Sequence, residues 1–277
     1  MRRVEELAGW VGDGGVVALS GAGLSTESGI PDYRGPSGLA RRATPMTFQT
    51  FTGDPAARRR YWARSHLGLR TISEARPNAG HGAVARLQEL CRLDGIVTQN
   101  VDGLHQAAGA HGVVELHGNL AGIVCLDCGE HSGRAALTER LDAANPGFSA
   151  AVSAVNPDGD VEIDESGLAD FTVVDCTVCG GMLKPDVVFF GETVPPERVS
   201  RAFALVAGAR TLLVLGSSLT VMSGRRFVLR AAKDGIRVAI VNQGVTRGEP
   251  YADLVVDGAL GQVLPEIVRR VEGVTVQ

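Results

Sequence analysis

Short apolar runs alternate with helix-type patterns along most of the chain. Apolar runs at 16–20, 95–98, 113–116, 186–190, 211–215, 238–241 and 254–256 predict β-strands. Between many of them, apolar residues recur at helical spacing and predict helices over 82–91, 196–207, 224–232 and 263–271. Strands that are apolar throughout, such as 212–215, indicate burial on both faces of a parallel sheet. We therefore predict an α/β fold with a doubly wound, Rossmann-like parallel sheet.

Two segments interrupt this alternation. Residues 120–183 carry four cysteines and a polar middle, so they predict a small inserted zinc-binding domain. Residues 36–76 hold two helical pieces and predict a lid or helical connection. Residues 1–119 and 184–277, with the segment 36–76 included, then form the Rossmann-like domain.

The composition and charge of the chain exclude several classes of protein and of binding partner. With 44% hydrophobic and 21% charged residues among 277, the chain is globular rather than disordered or fibrous. The net charge is −4 and the only compact basic run is 58–60, so we expect neither nucleic acid nor a membrane as partner. No run approaches the roughly 18 apolar residues of a membrane helix, and the N-terminus lacks the apolar stretch of a signal peptide. We expect a cytoplasmic protein.

Four of the five cysteines form two Cys-x-x-Cys pairs, Cys125 with Cys128 and Cys176 with Cys179. Zn²⁺ prefers four tetrahedral ligands, and each pair can supply two of them from one turn. Unpaired core cysteines or a redox pair are the alternatives, but neither pair follows a strand and opens a helix as redox motifs do. Four protein ligands leave no open coordination position, so the predicted zinc is structural.

Polar and glycine-rich segments follow several of the predicted strands. Gly21-Ala22-Gly23 comes directly after 16–20 and offers bare backbone N–H groups to a phosphate, although so short a match also fits a tight turn. Residues 99–102 follow the next strand with two amides and a carboxylate, whose alternative role is to cap a helix. Residues 216–218 and 242–244 end two further strands with hydroxyl or amide groups that suit ribose.

His117 ends another strand at the same expected edge of the sheet. With a reference pKa near 6.5, an imidazole there can serve as a general base at neutral pH, although a lone histidine is more often structural. The apolar run at 186–190 predicts either a core strand or an edge on which a peptide lies by strand addition.

Taken in order, these motifs resemble the sirtuin family of NAD⁺-dependent protein deacylases over nearly the whole chain, from Gly21 to Leu260. Asp32-Tyr33-Arg34, the long interval between the cysteine pairs and residues 261–265 are most similar to the class II branch. The resemblance implies NAD⁺ as co-substrate, one structural Zn²⁺ and acyl-lysine proteins or peptides as substrates. Position 260 departs from the family, because it is Leu where many relatives have Cys.

The resemblance also assigns residues to roles. His117 is the implied catalytic base. The implied NAD⁺ contacts are Gly21, Ala22, Gly23, Thr26, Ile30, Pro31, Asp32, Tyr33, Arg34, Gln99, Asn100, Val101, Asp102, Gly216, Ser217, Ser218, Asn242, Gln243, Gly244 and Leu260. The implied peptide edge is Val187, Val188, Phe189, Gly191 and Glu192.

In the family mechanism the acyl-amide oxygen attacks C1′ of the nicotinamide ribose and expels nicotinamide. His117 then draws a proton from the ribose hydroxyls, and the products are free lysine and 2′-O-acyl-ADP-ribose. Because the substrate itself attacks, such an enzyme needs positioning and charge stabilisation rather than a nucleophilic Ser or Cys.

Ala43, Tyr61 and Arg64 resemble the acyl pocket of sirtuins that remove succinyl and malonyl groups. This resemblance predicts a preference for acidic or longer acyl groups (succinyl, glutaryl, lipoyl) over acetyl. The alternative is that Tyr61 and Arg64 are helix-surface residues one turn apart. Two further functions compete with deacylation: protein mono-ADP-ribosylation from the same NAD⁺ pocket, and a non-catalytic zinc-ribbon interaction module.

Overall fold

A computed structural model describes residues 2–33, 45–150, 152–156, 160–163 and 168–274. Its strands are β1 (Val16–Ser20), β2 (Leu93–Thr98), β3 (Val114–Glu115), β4 (Gly118–Cys125), β5 (His131–Gly133), β6 (Val152–Val155), β7 (Val161–Ile163), β8 (Leu183–Val187), β9 (Thr211–Leu215), β10 (Arg237–Asn242) and β11 (Leu254–Asp257). Its α-helices are α1 (Arg2–Gly12), α2 (Phe48–Gly53), α3 (Pro55–Glu74), α4 (Ala79–Glu89), α5 (Leu104–Ala107), α6 (Arg134–Ala144), α7 (Pro196–Gly208), α8 (Met222–Lys233) and α9 (Leu260–Val274).

Six parallel strands form the main sheet in the order β11-β10-β9-β1-β2-β3. The central strands β1 and β9 are buried at every position, as their apolar sequences predict. The chain moves outward from β1 to β2 and β3, then returns to β9 on the other side, so the strand order reverses between β1 and β9. The predicted doubly wound α/β fold is confirmed, and such a reversal is where open α/β sheets bind ligands.

Helices cover both faces of this sheet. On one face α1, α4 and α9 bury apolar side chains that include Leu7, Val84 and Ile267. On the other face α7 and α8 bury Val206 and Phe227 against the same strands. No described helix has the length and apolar character that crossing a membrane requires.

A second, antiparallel sheet has the order β5-β4-β8, and β6 pairs with β7 in a separate hairpin. The strand predicted over 186–190 lies at Leu183–Val187 and pairs with β4, outside the main sheet. Its apolar continuation, which includes Phe189, is buried against Phe51 and Tyr61 without being a strand. The small sheet thus extends from Gly118 to Val187, while the domain boundaries at 120 and 183 stay a prediction.

The two helical pieces predicted within 36–76 correspond to α2 and α3. Asp54 ends the first and caps the second, because its side chain accepts hydrogen bonds from the amides of Ala56 and Ala57. Pro55 occupies the first position of α3, where a missing N–H costs nothing. Helix α3 packs against the β6–β7 hairpin and so joins this region to the insert.

Candidate active site

A cleft of about 690 Å³ opens at the carboxyl ends of the central strands, where the strand order reverses. It lies between the loops that follow β1, β2, β9 and β10 on one side and the segment that follows β8 on the other. The predicted site residues that line it are Gly21, Ala22, Gly23, Thr26, Ile30, Asp32, Tyr33, Gln99, Asn100, Val101, Asp102, His117, Val187, Val188, Phe189, Gly191, Glu192, Gly216, Ser217, Ser218, Asn242, Gln243 and Leu260.

The loops after β1 and β9 touch each other at the floor of this cleft. The amide of Gly23 donates to the carbonyl of Gly216 over 2.8 Å, and that of Gly21 donates to Leu215 over 2.9 Å. Gly216 has a φ of +61°, and a Cβ there would lie 2.5 Å from the backbone nitrogen of Leu24. These two amides are thus directed at the sheet rather than at a ligand, and the glycines are needed because the backbones approach so closely.

Three polar side chains form a chain of hydrogen bonds along one wall. Asn100 Nδ2 donates to the carbonyl of Gly21 and to Ser25 Oγ, each over 3.1 Å. Ser25 Oγ in turn donates to Asp102 Oδ2 over 2.7 Å. The other carboxylate oxygen of Asp102 accepts from the amide of Leu104 at the start of α5. Asp102 therefore both accepts from the first amide of α5 and lines the cleft.

His117 lies in the cleft with both ring nitrogens engaged. Nδ1 is 2.9 Å from the carbonyl oxygen of Gln99, and Nε2 is 2.8 Å from Ser223 Oγ. A carbonyl can only accept, so Nδ1 carries the proton, and the lone pair of Nε2 in the neutral ring accepts from the Ser223 hydroxyl. Burial lowers the pKa of His117, the Gln99 carbonyl opposes this, and the charges of Arg198 and Arg226 lower it further. A neutral imidazole of this kind is ready to accept a proton at Nε2.

Two further polar side chains of the cleft are held by hydrogen bonds to loops that follow the strands. Gln99 Nε2 donates to the buried Ser217 Oγ over 2.9 Å. Asn242 Nδ2 donates to the carbonyls of Gln243 and Gly244, each over 2.9 Å. The first contact joins the loops after β2 and β9, and the other two hold the loop after β10 in its own conformation.

Comparisons with known proteins agree with this geometry. A sequence model of the Sir2 family matches residues 21–223. The chain belongs to the Sir2 family. A relative from Streptomyces coelicolor, named NAD-dependent protein deacetylase 1, is 60% identical over 257 residues, which cover 93% of this chain and 86% of that protein. Its namesake from Mycobacterium avium is 51% identical over 254 residues, with coverage of 90% and 89%.

Solved Sir2 structures share the fold over nearly the full length. A Sir2 structure with a p53 peptide and NAD⁺ has a TM-score of 0.76 at 28% identity, and the match covers 98% of each chain. A second Sir2 enzyme structure has a TM-score of 0.79 at 29% identity and covers 99% of each chain. The resemblance to sirtuins inferred from the motifs is confirmed, while the class II assignment stays a prediction.

The four paired cysteines of this Sir2 family protein form one cluster. All four sulfur atoms lie within 4.8 Å of one another. The amide of Gly129 donates to the carbonyl of Cys125 and that of Gly180 donates to the carbonyl of Cys176, and both glycines have a φ near +74°. Two matching turns therefore present four thiols to one point, a donor set that fits tetrahedral Zn²⁺ with no position left for a substrate. The predicted structural zinc agrees with this arrangement.

The segment after β8 forms one wall of the cleft and is held from behind. The amide of Val188 donates to the carbonyl of His117 over 2.8 Å, which ties this wall to the candidate base. Glu192 Oε2 accepts from the amide of Phe189 over 2.8 Å and from Lys184 Nζ over 3.2 Å. Burial lowers the pKa of Lys184, and the charge of Glu192 opposes this shift. The carboxylate of Glu192 thus stabilises the turn over 189–192 by accepting hydrogen bonds from its backbone and from Lys184.

The predicted acyl-pocket side chains Tyr61 and Arg64 do not line the cleft. Tyr61 is only 1% exposed and packs edge to face on Phe189, so a helix-surface position is also wrong for it. Arg64 Nε lies 3.0 Å from Asp160 Oδ1 and donates to the carbonyl of Val161 over 2.6 Å. The guanidinium of Arg64 is therefore neutralised by the β6–β7 hairpin rather than offered to an acyl carboxylate.

Four other predicted site residues are not among those that line the cleft in the described part of the chain. Pro31 and Gly244 belong to loops that border the cleft but do not line it. Arg34 and Ala43 lie outside the described residues.

Several residues that line the cleft were not among the predicted site residues, notably Ser25, Ser223 and Arg226. Ser223 and Arg226 lie on α8, the helix that begins soon after the predicted ribose loop at 216–218. A helix that starts at the ligand edge of a parallel sheet directs its first turns toward that edge. This position in the chain was the signal that could have found them.

Proposed function

We propose that this chain is an NAD⁺-dependent protein lysine deacylase that releases nicotinamide and 2′-O-acyl-ADP-ribose. The observation that carries the proposal is His117, a neutral imidazole in the cleft of a Sir2 fold whose Nε2 is a hydrogen-bond acceptor. The names of the curated relatives, NAD-dependent protein deacetylases, support the activity. The related Sir2 structure with a p53 peptide and NAD⁺ supports both substrates.

When bound, NAD⁺ supplies an electrophilic ribose carbon with nicotinamide as its leaving group. The predicted NAD⁺ residues are assigned to binding it because all but three of them line the cleft. The carboxyl group of Asp102 lies in the cleft wall, where Ser25 Oγ donates to it, and an acidic side chain there suits a cationic ring. His117 accepts a proton from a ribose hydroxyl at Nε2, and its bond to Gln99 holds the ring in the required tautomer.

One Zn²⁺ held by Cys125, Cys128, Cys176 and Cys179 is assigned a structural role. It joins the start and the end of the insert, so its binding free energy contributes to folding rather than to the reaction. Four thiolates of this kind need a reducing compartment, and the cytoplasm is the proposed location. Acyl-lysine proteins are the proposed partners, and nucleic acid is not, since the net charge is −4 and 58–60 is the only compact basic run of the sequence.

Acetyl-lysine is the acyl substrate that this site supports best. A preference for succinyl or glutaryl chains needs a cation at the acyl group, and Arg64 is already paired with Asp160. No contact among the described residues favours lipoyl chains either. Mono-ADP-ribosylation from the same cleft remains a competing outcome that no specific observation favours.

Nicotinamide release tests the proposal. The purified protein is given NAD⁺ and matched acetyl-, succinyl-, glutaryl- and lipoyl-lysine peptides, with His117→Ala and Arg64→Met alongside. Acetyl peptide should turn over, His117→Ala should abolish turnover, and Arg64→Met should leave the order of acyl preference unchanged. An advantage for succinyl or glutaryl peptide that Arg64→Met removes would contradict the acyl assignment. A protein-bound ADP-ribose adduct formed without acyl peptide would instead indicate ADP-ribosylation.

A further inference from the structure

Arg226 is the one Arg or Lys among the described residues that line the cleft. It lies on α8, one turn after Met222, and its Nε donates to the Met222 carbonyl over a long 3.4 Å. No carboxylate of the described residues forms an ion pair with it. By contrast, Arg198 is bound by both oxygens of Asp186 over 2.8 and 3.0 Å. The cleft therefore contains one guanidinium whose charge the described part of the chain leaves without a counter-ion.

The surroundings of Arg226 are apolar and open. Val221 and Met222, at the start of its helix, are 36% and 47% exposed. On the facing wall Phe190 is 36% exposed and packs edge to face on Tyr33, with the ring centroids 5.9 Å apart. Exposed apolar side chains at a cleft mouth are typical of a surface that binds a protein segment. A cation within such a surface adds a point of charge recognition.

We propose that Arg226 selects substrate proteins by binding the carboxylate of an Asp or Glu close in sequence to the acyl-lysine. This proposal rests on the proposed deacylase function. The guanidinium offers a planar fork of donors that a carboxylate can accept in bidentate fashion. Because Arg226 is partly exposed, solvent weakens the pair, and we expect a preference of roughly five- to tenfold rather than an absolute requirement.

The position of Arg226 separates this role from acyl-chain recognition. Its helix carries Ser223, the partner of His117 Nε2, so Arg226 is one turn beyond the residue that touches the candidate base. A side chain there meets the parts of a substrate that flank the reacting lysine. The contact would therefore set the choice of protein segment and leave the choice of acyl group unchanged.

A charge-swap experiment tests the proposal. Acetyl-lysine peptides carry Glu, Gln or Lys in turn at each of three positions on either side, and kcat/KM is measured by nicotinamide release. At one position wild type should prefer Glu over Gln by roughly five- to tenfold, and added salt should reduce this preference. Arg226→Gln should remove the preference, and Arg226→Glu should reverse it in favour of Lys.

Arg230→Gln is the matched control. It removes the same charge from the same helix, but Arg230 pairs with Asp234 and does not line the cleft, so it should keep the wild-type preference. A preference that survives in Arg226→Gln, or no position with more than a twofold preference, overturns the proposal. So does a higher KM for NAD⁺ in Arg226→Gln with unchanged peptide choice, which would assign Arg226 to the co-substrate.

Peptide binding, measured by fluorescence anisotropy without NAD⁺, separates this proposal from the deacylase function. If wild type turns over no acyl peptide, the proposed function fails. The Glu preference in binding, and its loss in Arg226→Gln, would still support Arg226 as a selector of acidic segments. Equal binding of Glu and Gln peptides by an active wild-type enzyme would overturn the selector alone.

Discussion

Replacing Gly216 by alanine should destabilise the protein strongly, because two requirements of this position act together. Its φ of +61° costs a residue with a Cβ roughly 1–2 kcal/mol. The new Cβ would also lie 2.5 Å from the nitrogen of Leu24 and 2.6 Å from the carbonyl carbon of Gly23. Both are backbone atoms, so the loops after β1 and β9 must separate, at a cost of about 1–3 kcal/mol. The expected loss is about 2–5 kcal/mol of the free energy of unfolding.

Denaturant unfolding of the purified variant measures this loss, and nicotinamide release measures the effect on the cleft. Gly82→Ala is the control, since Gly82 lies within α4 and its added Cβ meets no atom within 4 Å. Alanine in a helix interior should raise stability by up to about 1 kcal/mol. A loss below about 1 kcal/mol for Gly216→Ala, with activity retained, would refute the close contact between the two loops.

Three further predictions follow from the buried and clustered groups. Burial lowers the pKa of His117, so the acidic limb of kcat/KM should lie below pH 6.5, and a limb above that value would contradict a neutral base. Burial also lowers the pKa of His105 to about 3. Its protonation therefore favours the unfolded chain below pH 6.5, and the free energy of unfolding should be about 2 kcal/mol lower at pH 5 than at pH 7.5 in urea titrations. His105→Gln should weaken this dependence, and an unchanged pH profile would oppose it. Metal analysis should find one zinc per chain in wild type and none in Cys179→Ser. Without zinc, residues 120–183 of the variant should become sensitive to protease. An insert that is as well protected without zinc as with it would contradict the structural role of the metal.

The sequence predicts the main sheet well because buried parallel strands are apolar at every position. The bounds predicted for β1 and β9 agree with the structure at every residue. The same rule misplaced the run at 186–190, since burial alone does not reveal which sheet a strand joins. Pairing with β4 places the strand in the small sheet, and packing in an aromatic cluster buries Phe189 after the strand has ended. Both contacts involve distant parts of the chain.

Candidate site residues were predictable where they directly follow a strand, because parallel strands bring their carboxyl ends to one edge. Ser223 and Arg226 were not found, since the face that a helix turns to a cleft depends on how that helix packs. In the sequence alone, the spacing of Tyr61 and Arg64 fits an acyl pocket as well as it fits two residues one turn apart on a helix surface. Only the fold shows Asp160 beside the guanidinium of Arg64 and Phe189 against the ring of Tyr61.

The most direct test of NAD⁺-dependent deacylation is to quantify its three products. An acetyl-lysine peptide and NAD⁺ are incubated with the enzyme, and all products are quantified by mass spectrometry. The proposed chemistry predicts equal amounts of nicotinamide, free-lysine peptide and acetyl-ADP-ribose. With His117→Ala it predicts no free-lysine peptide, no acetyl-ADP-ribose and at most about one nicotinamide per enzyme molecule, because His117 acts after nicotinamide has left. Peptide deacetylation without NAD⁺, or nicotinamide release without loss of the acetyl group, would contradict it.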